Sequence, residues 1–310
     1  MEGFSLIDLA KQVWTQNIIY ITAFSAFLVL IFLIMVFKDA IAKRRTLLNV
    51  LRYGMLIIAF FFAGLVLKAQ PTITNIVIML NALIIEGQFP IGLFLMEPYI
   101  FLSFVFIILT IFIWGRGVYC GWICPYGALL EILNKLKDAM FPKFNINISA
   151  KIHWKLLYLK YIFFIAIVGI SFYNFVLAEY LTEIEPFRTF VLKLKREWYF
   201  LAYFGILTVG SVIVYRAFCR YICPLGAALA VPSFIKIIPF IKLKRYDFCV
   251  TCKICARTCN PQAITANGVI DSRECLNCLD CQINFWDEDK CPVLIKKKMQ
   301  EVRGGNFDNR

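Results

Sequence analysis

The sequence predicts an all-α bundle of membrane helices, followed by a small, cysteine-rich α+β domain at its C-terminal end. Hydrophobic residues make up 61% of the 310 residues and charged residues only 17%, which is too apolar for a soluble globular domain. Several apolar stretches are long enough to cross a bilayer as helices. Eight of the 12 cysteines lie between Cys249 and Cys291, a density that indicates a metal–sulfur or disulfide-rich domain.

Five apolar stretches are predicted to be membrane spans, since a spanning helix needs about 20 apolar residues. Arg52 and Lys160 lie near the starts of two of them and are predicted to snorkel toward the membrane interface. A sixth stretch, Thr72–Ile85, is short, follows a proline and contains asparagines, which predicts a re-entrant or interfacial segment. The five predicted spans are Asn17–Phe37, Leu48–Leu67, Leu93–Trp114, Leu156–Ala178 and Tyr199–Tyr215.

The positions of lysine and arginine predict the orientation, because cytoplasmic loops of membrane proteins are enriched in both. Residues 38–45 carry four of these side chains and residues 116–155 carry six, whereas residues 68–92 carry one. The chain is therefore predicted to lie in a bacterial inner membrane, with a periplasmic N-terminus and a cytoplasmic C-terminal domain. The net charge of +13 fits basic loops beside anionic lipid. The lipid bilayer is an expected partner, and nucleic acid is not, because no nucleic-acid motif is present.

The C-terminal cysteines have the spacing of a ferredoxin that holds two [4Fe–4S] clusters. A CxxCxxCxxxC run is followed by a CxxCxxC run and a distal Cys-Pro, and the fourth ligand of each cluster normally comes from the other run. Zinc sites usually use CxxC pairs, and disulfide frameworks belong to small secreted domains, so both alternatives are disfavoured. The predicted ligands are Cys249, Cys252, Cys255 and Cys291 for the first cluster, and Cys275, Cys278, Cys281 and Cys259 for the second.

The rest of the C-terminal segment predicts a compact α+β ferredoxin fold. Residues 263–270 read as a short hairpin with an Asn-Gly turn. The segment before the ferredoxin is apolar but broken by Pro232 and Pro239, which is typical of an interfacial connector. The predicted domains are a transmembrane domain at 1–226, the connector at 227–245, the ferredoxin-type domain at 246–295 and a polar tail at 296–310.

A second set of cysteines lies in a CxxxCP motif that occurs twice in the membrane part. An arginine, Arg116 or Arg216, comes shortly before each copy, and a Glu-Pro-aromatic sequence lies upstream. The repeat predicts helix pairs related by a pseudo-two-fold axis, which would bring the two motifs together. Thiols four residues apart share a helix face, so each pair could bind a metal, hold a further iron–sulfur cluster or Cu(I), cycle through a disulfide, or simply pack. The cysteines are Cys120, Cys124, Cys219 and Cys223.

Missing motifs exclude several function classes. His153 is the only histidine and is predicted to be a surface residue in a polar loop, which excludes bis-histidine haem ligation. There is no GxGxxG or Walker motif for a nucleotide cofactor, and no Ser-His-Asp or paired-carboxylate set for hydrolysis. The chain is therefore predicted to move electrons as a subunit of a respiratory oxidoreductase rather than to act as a stand-alone enzyme.

Several of these motifs, taken in order, resemble the NosR family. They are the runs at 115–131 and 218–229, the Met96-Glu-Pro98 and Ile184-Glu-Pro186 signatures, the eight ferredoxin cysteines and the 287–292 stretch. The resemblance implies a membrane iron–sulfur flavoprotein of nitrous-oxide respiration, which supplies electrons to periplasmic nitrous oxide reductase or supports its maturation. The Ser-Gly-Ala-Thr flavin motif of NosR does not occur here, so FMN is not expected on this chain, which resembles the C-terminal half of NosR.

The expected function is therefore electron transfer between the cytoplasmic clusters or the quinone pool and a periplasmic reductase, or a partner that bears the flavin. Quinol is a candidate electron donor. NapH-type proteins of periplasmic nitrate reduction share the same motifs and are the nearest alternative. CcoG-type proteins, which act in copper handling, share them too, so the CxxxCP cysteines could instead bind or reduce copper. Redox sensing is a third alternative.

Overall fold

The computed structural model describes residues 6–87, 89–141, 148–192, 194–235, 243, 252–265 and 268–304. Regular structure in these residues is helical, apart from an isolated antiparallel bridge between Ile264 and Ile270. This bridge lies where the hairpin was predicted, but the Asn-Gly turn falls on residues 266 and 267, outside the described residues. The described part of the C-terminal segment forms no β-strand, so its predicted α+β character is not confirmed.

Within the described residues, three helices are long and apolar enough to cross a membrane, judged by length and composition. They coincide with the first, second and fourth predicted spans. The third and fifth predicted spans correspond to shorter helices of 17 and 16 residues, α7 (Pro98–Trp114) and α12 (Trp198–Ile213). At 1.5 Å per residue they reach about 25 Å of the roughly 30 Å hydrocarbon thickness. The three long helices are α2 (Ile18–Val36), α4 with its π-helical continuation (Arg45–Val66) and α9 (Ala150–Tyr173).

The segment predicted to be re-entrant forms α5 and a short π-helical continuation. The helix begins after Thr72, whose backbone N–H and hydroxyl both donate to Asn75 Oδ1, at 2.9 and 3.0 Å. The polar residues that make this stretch a poor membrane span are therefore used to start a short helix. Its bounds are Ile73–Asn81 for α5 and Ala82–Glu86 for the continuation.

The remaining helices are short and connect these elements. They are α1 (Leu6–Gln16), α3 (Lys38–Ala42), α6 (Ile91–Met96), α7 (Pro98–Trp114), α8 (Pro125–Met140), α10 (Phe175–Leu181), α11 (Phe187–Val191), α12 (Trp198–Ile213), α13 (Pro224–Ala230), α14 (Ile254–Arg257), α15 (Asp280–Trp286) and α16 (Pro292–Gly304). Residues 236–242, 244 and 245 of the predicted connector lie outside the described residues.

One hydrophobic core joins the membrane helices to the C-terminal segment. Leu279 and Ile283 of the C-terminal segment belong to the same buried cluster as residues of α2, α4, α7 and α8. Within the membrane part, the ring of Tyr126 packs against the rings of Phe187 and Phe218, with centroids 5.4 and 5.8 Å apart. Apolar packing therefore holds the cysteine-rich segment against the helices that carry the CxxxCP motifs.

Candidate redox site

The two cysteine runs of the C-terminal segment share an uncommon backbone conformation. In each run, the residue after the middle cysteine has a left-handed backbone and precedes the short helix that carries the third cysteine. These residues are Lys253 (φ 54°), before α14, and Leu279 (φ 64°), before α15. A strained conformation of this kind costs about 1–3 kcal/mol and is concentrated at functional sites. Two such turns at equivalent positions fit a pair of similar cofactor sites.

Two cysteines of the second run, Cys275 and Cys278, are buried, and the run lies close to Cys259. Burial raises the pKa of the Cys275 thiol to about 12, and the neighbouring thiols of Cys281 and Cys259 raise it further. Burial likewise raises the pKa of the Cys278 thiol, and the thiols of Cys259 and Cys281 raise it further. Cys259 is the residue that the crossover rule assigns to this run. The grouping is compatible with the predicted second ligand set, which stays a prediction.

The first run is less buried. Cys249 lies outside the described residues, so the predicted first ligand set is described only in part. Cys252 and Cys255 are half-buried, whereas Cys291, the predicted distal ligand, is buried. The Cys255 thiol donates to the backbone carbonyl of Cys281 at 3.6 Å, which links the two runs.

Among the described residues, no group of three or more His, Cys, Asp or Glu side chains is arranged to hold a metal ion. A single zinc ion needs thiolates about 3.8 Å apart, because each Zn–S bond is about 2.3 Å in a tetrahedral site. A four-iron cluster has a wider spacing, since its thiolates bind four separate iron atoms. The four cysteines of the CxxxCP motifs are likewise not arranged to hold a single metal ion, although thiols of the two motifs lie within electrostatic range of one another.

The loop of the second run lies directly on the first CxxxCP motif. Two glycines make this close approach possible, because a Cβ at Gly117 would collide with the backbone carbonyl of Cys275, and one at Gly121 with the carbonyl of Leu276. Both obstacles are backbone atoms, which cannot move aside as a flexible side chain would. The loop and the motif are therefore in backbone contact.

Hydrogen bonds fix the loop in this position. Trp122 Nε1 donates to the carbonyl of Asn277 at 2.9 Å, and Asn277 Nδ2 donates to the carbonyl of Trp114 at 3.1 Å. Trp122 is fully buried and Asn277 is 3% exposed. The backbone of Asn277 is in the strained left-handed region (φ 47°). The hydrogen bonds of its backbone carbonyl and its side-chain amide hold it in this conformation. The contact is a specific interface rather than a loose apposition.

A buried carboxylate, Glu274, joins the C-terminal segment to two helices. Its oxygens accept from Lys160 Nζ at 2.6 and 2.7 Å and from Arg116 Nη2 at 3.0 Å. The side chains of all three residues are at most 4% exposed. Arg116 also donates to the carbonyl of Arg273. Because breaking a buried pair leaves an uncompensated charge, this carboxylate is a strong anchor for the segment.

A second carboxylate, Glu131 of α8, organises the opposite side of the interface. It accepts from Arg52 at 2.5 Å, from Arg216 at 2.9 Å and from the Tyr215 hydroxyl at 2.6 Å. Arg52 also reaches the cysteine loop, where it donates to the carbonyl of Cys278 at 3.0 Å. One arginine of a membrane helix thus contacts both the membrane part and the loop of the second cysteine run.

The prediction that Arg52 and Lys160 snorkel to the membrane interface is wrong. They are 3% and 0% exposed, because the C-terminal segment covers them and supplies acidic partners. The sequence did contain a signal for this arrangement, because a cation near the end of an apolar helix can also indicate a buried acidic partner. The acids themselves, Glu131 and Glu274, were not recognised.

Positive charge exceeds negative charge around the cysteine loop. Within the described residues, the buried cations outnumber the buried carboxylates that pair with them. A four-thiolate [4Fe–4S] group is net negative, so surplus buried cations would stabilise it, and the donor set and its surroundings fit such a group. The buried cations are Arg52, Arg116, Lys160, Arg216, Arg220 and Lys38, and the buried carboxylates are Glu131, Glu274 and Glu185.

The two CxxxCP motifs have the same local structure. Each forms one π-helical turn, Tyr119–Ile123 or Phe218–Ile222, and its second cysteine caps the following helix. Cys124 Sγ accepts a hydrogen bond from the N–H of Gly127 at 3.4 Å, and Cys223 Sγ accepts one from the N–H of Gly226 at 3.2 Å. The proline after each cysteine occupies the first position of the helix, where it needs no donor.

The arginine that precedes each motif reaches across to the other one. Arg216 Nη1 donates to the carbonyl of Cys120 at 3.0 Å. A Cβ at Gly226, in the second motif, would lie 3.1 Å from Arg116 Nη1, and one at Gly127, in the first, 3.4 Å from Arg216 Nη1. This reciprocal arrangement agrees with the predicted pseudo-two-fold repeat and brings the two motifs side by side.

One polar side chain lies near the second cysteine of each motif: Gln70 near Cys124, and Glu185 near Cys223. The Gln70 side-chain amide lies 3.5 Å from Cys124 Sγ. Glu185 is 1% exposed and accepts from the N–H groups of Ile73 and Leu225, at 2.9 and 3.2 Å. Sequence reasoning noted Glu185 only as part of a repeat and missed Gln70, which carries no motif signal.

The prediction that His153 is a surface residue in a loop is wrong. It lies in the first turn of α9, is 1% exposed, and contacts the Tyr221 hydroxyl at 2.9 Å and Arg220 at 2.8 Å through Nδ1. Both partners belong to the second CxxxCP motif. The polar residues around it in sequence concealed a tertiary contact with that motif.

The fold and the site define a membrane iron–sulfur protein of the electron-transfer class, and the comparisons with known proteins agree. The family model of NosR matches residues 247–302, and the family model described as a 4Fe-4S binding domain matches residues 96–149 and 197–239. The latter two segments contain both CxxxCP motifs. The search of solved structures gave no significant match.

The chain belongs to the NosR family. It is 37% identical over 300 residues to Regulatory protein NosR of Pseudomonas aeruginosa, covering 96% of this chain and 41% of that protein. It is 35% identical over 301 residues to Protein NirI of Paracoccus denitrificans, covering 97% and 44%. A second Pseudomonas aeruginosa protein named Regulatory protein NosR is 48% identical over 80 residues, covering 26% of this chain and 79% of that protein. The chain spans about two fifths of the length of the first two relatives.

Proposed function

We propose that this chain carries electrons through the inner membrane between cytoplasmic iron–sulfur clusters, or the quinone pool, and a periplasmic reductase. The observation that carries the proposal is the backbone contact between the second cysteine run and the first CxxxCP motif at Gly117 and Gly121. Electron transfer needs closely spaced centres, and this contact joins the two sets of cysteines without intervening solvent. The reductase proposed is that of the nitrous oxide system, because curated relatives are named NosR.

Two [4Fe–4S] clusters are proposed, on the ligands predicted from the sequence. When bound, each would supply a one-electron carrier. The residues of the chain give the two sites different surroundings: Cys252 and Cys255 line a small surface pocket with Gly268, whereas Cys278 is sealed against Arg52. The first run therefore faces a soluble partner and the second faces the membrane part. In this proposal the N-terminus is periplasmic, five helices cross the membrane, and the C-terminal segment is cytoplasmic.

A redox or metal role is proposed for the CxxxCP cysteines as well. The match of a 4Fe-4S binding domain to both motif segments supports it. The arginines beside the motifs support it too, because a centre bound by several thiolates is net negative and buried cations would stabilise it. Arg116 lies within electrostatic range of both Cys120 and Cys223.

Iron analysis tests the cofactor proposal. Protein purified without oxygen is expected to contain about eight irons per chain and to give [4Fe–4S] EPR signals on reduction. Cys278→Ser is expected to retain about half of the iron, because one ligand set is broken and the other is intact. Ser272→Ala, a neighbouring change that removes no thiol, serves as the matched control. Zinc in place of iron, with no EPR signal, would refute the cluster assignment.

A paired variant distinguishes the roles of the CxxxCP motifs. If these thiols hold iron, Cys120→Ser combined with Cys223→Ser lowers the iron content below that of the unaltered chain. If only copper binding falls, the copper-handling alternative is correct. If neither metal changes while the thermal unfolding midpoint falls, the thiols serve in packing or in thiol cycling.

Electron transfer itself is tested in proteoliposomes. The chain, reduced chemically from the side of its C-terminal segment, is expected to deliver electrons to purified nitrous oxide reductase added on the other side. The measurement is the reoxidation of the EPR signal, with nitrate reductase as the comparison acceptor. Reoxidation only by an acceptor on the same side as the C-terminal segment would contradict transmembrane transfer. Preference for nitrate reductase would favour the NapH-type alternative.

A further inference from the structure

The loop after Cys259 departs from the usual ferredoxin run. In that run a proline directly follows the fourth cysteine, whereas here Asn260 stands between Cys259 and Pro261. The next residue, Gln262, has a left-handed backbone (φ 53°), and its N–H donates to the carbonyl of Cys259 at 2.8 Å. This conformation is strained for a residue with a side chain, so it persists only where other contacts hold it.

The side chain of Gln262 supplies such contacts. Its Oε1 accepts from Arg220 Nη2 at 2.8 Å, and its Nε2 donates to the carbonyl of Ile148 at 3.1 Å. Arg220 lies between the two cysteines of the second CxxxCP motif, and Ile148 precedes α9. One amide group thus joins the Cys259 loop to two parts of the membrane domain.

Arg220 is fixed by its own neighbours. It is 4% exposed, and its guanidinium donates to His153 Nδ1 at 2.8 Å and to the carbonyl of Tyr215 at 3.3 Å. Because arginine can only donate, Nδ1 of His153 accepts, and the imidazole adds no second positive charge beside Arg220. These bonds hold the guanidinium in the place where its Nη2 also reaches Gln262.

Arg220 also lacks a counter-charge of its own. Unlike the buried arginines described above, it forms no ion pair within the described residues. The Cys259 thiol lies within its electrostatic range, and so does Glu274, which is already paired with two other cations. A buried cation is costly without a negative partner. A four-thiolate [4Fe–4S] cluster that includes Cys259 is net negative and would be that partner.

We propose that Gln262 and Arg220 are positioning residues for the second cluster, and that they hold Cys259 where one iron atom needs its ligand. This inference rests on the proposed [4Fe–4S] cluster of the second ligand set. The first CxxxCP motif contacts the loop of the second cysteine run, and the second motif contacts the Cys259 loop. Both halves of the membrane repeat therefore take part in building one cluster site.

EPR spectroscopy and iron analysis of the full-length protein, purified without oxygen, test the proposal. Gln262→Leu removes both hydrogen bonds of the amide, so Cys259 is held less firmly and the iron that it binds is lost first. The expected result is that one of the two clusters becomes a [3Fe–4S] cluster. The iron content then falls by about one atom per chain, and a [3Fe–4S] signal appears in the oxidised protein. Arg220→Met is expected to give the same signal.

Two further measurements make the result specific. Gln262→Glu keeps an acceptor for Arg220, and the bond becomes charge-assisted, so both clusters should remain intact. Gln300→Leu is the matched control, because it makes the same change at an exposed position of α16. In iron-free protein, alkylation of Cys259 by iodoacetamide should be faster in Gln262→Leu than in Gln300→Leu, as measured by mass spectrometry of the digested chain.

Three outcomes would overturn this inference alone. Equal iron content and EPR signals in Gln262→Leu and Gln300→Leu would show that Cys259 needs no such support. Equal loss of iron from both clusters would show general unfolding instead of a local role. Loss of iron in Gln262→Glu, as in Gln262→Leu, would show that the contact with Arg220 does not hold the loop. An unaltered protein without [4Fe–4S] signals would refute the proposed function itself, and this inference with it.

Discussion

Substitution of Glu274 by glutamine is expected to destabilise the protein by about 3–5 kcal/mol, because Arg116 and Lys160 would remain buried without a counter-charge. For a chain of this size, that corresponds to a fall of roughly 10 °C in the thermal unfolding midpoint. The midpoint is measured in detergent by circular dichroism, and limited proteolysis of the C-terminal segment should accelerate in parallel.

Two further variants make this result specific. Glu288→Gln removes an exposed carboxylate of the same segment, and should change the midpoint little, because exposed ion pairs contribute little. Glu274→Gln combined with Lys160→Met should recover part of the loss, since one stranded cation is removed. Equal midpoints for Glu274→Gln and the unaltered protein would show that Glu274 does not anchor the segment.

Substitution of Gly121 by alanine is expected to displace the cysteine loop from the first CxxxCP motif. The added methyl group would collide with the backbone carbonyl of Leu276, and the loop is held too firmly for a small adjustment. Overpacking of this kind costs about 1–3 kcal/mol. The expected result is faster proteolysis between the membrane part and the C-terminal segment, together with slower electron transfer in proteoliposomes.

Gly169→Ala is the matched control, because no atom lies within 4 Å of a Cβ at this position in α9. Alanine there should be neutral or slightly stabilising, since it has the higher helix propensity. If Gly121→Ala behaves like Gly169→Ala, the backbone contact between loop and motif is not needed for function, and the proposed path loses its main support.

Much of the architecture could be predicted from local sequence patterns. Apolar stretches of sufficient length predicted the three long helices, because a bilayer imposes a length on any helix that crosses it. The proline and asparagines of the sixth stretch predicted a re-entrant or interfacial segment, and the structure forms a short helix there. Several motifs taken in order, the cysteine runs among them, carried the resemblance to the NosR family, and the structure adds that both runs have a left-handed residue after the middle cysteine.

What the sequence could not supply is the identity of distant partners. Lys160 and Glu274 are separated by 114 residues, and His153 and Tyr221 by 68. Charge near the end of an apolar helix is equally compatible with an interfacial position and with a buried ion pair, so Arg52 and Lys160 were assigned to the wrong environment. The predicted hairpin is represented in the described residues by the antiparallel bridge between Ile264 and Ile270, since a two-stranded ribbon is only marginally stable by itself.

The seal between the cysteine loop and Gly117 and Gly121 also constrains biogenesis. In the proposed arrangement, Arg52 covers Cys278 once the segment is seated, and a scaffold protein that delivers iron would have no route to it. Metal insertion at the proposed site would therefore precede closure of the interface, while the newly made tail is still separate from the helices. Cluster insertion would then come before docking, and only a C-terminal segment that carries its cluster would dock on the membrane helices.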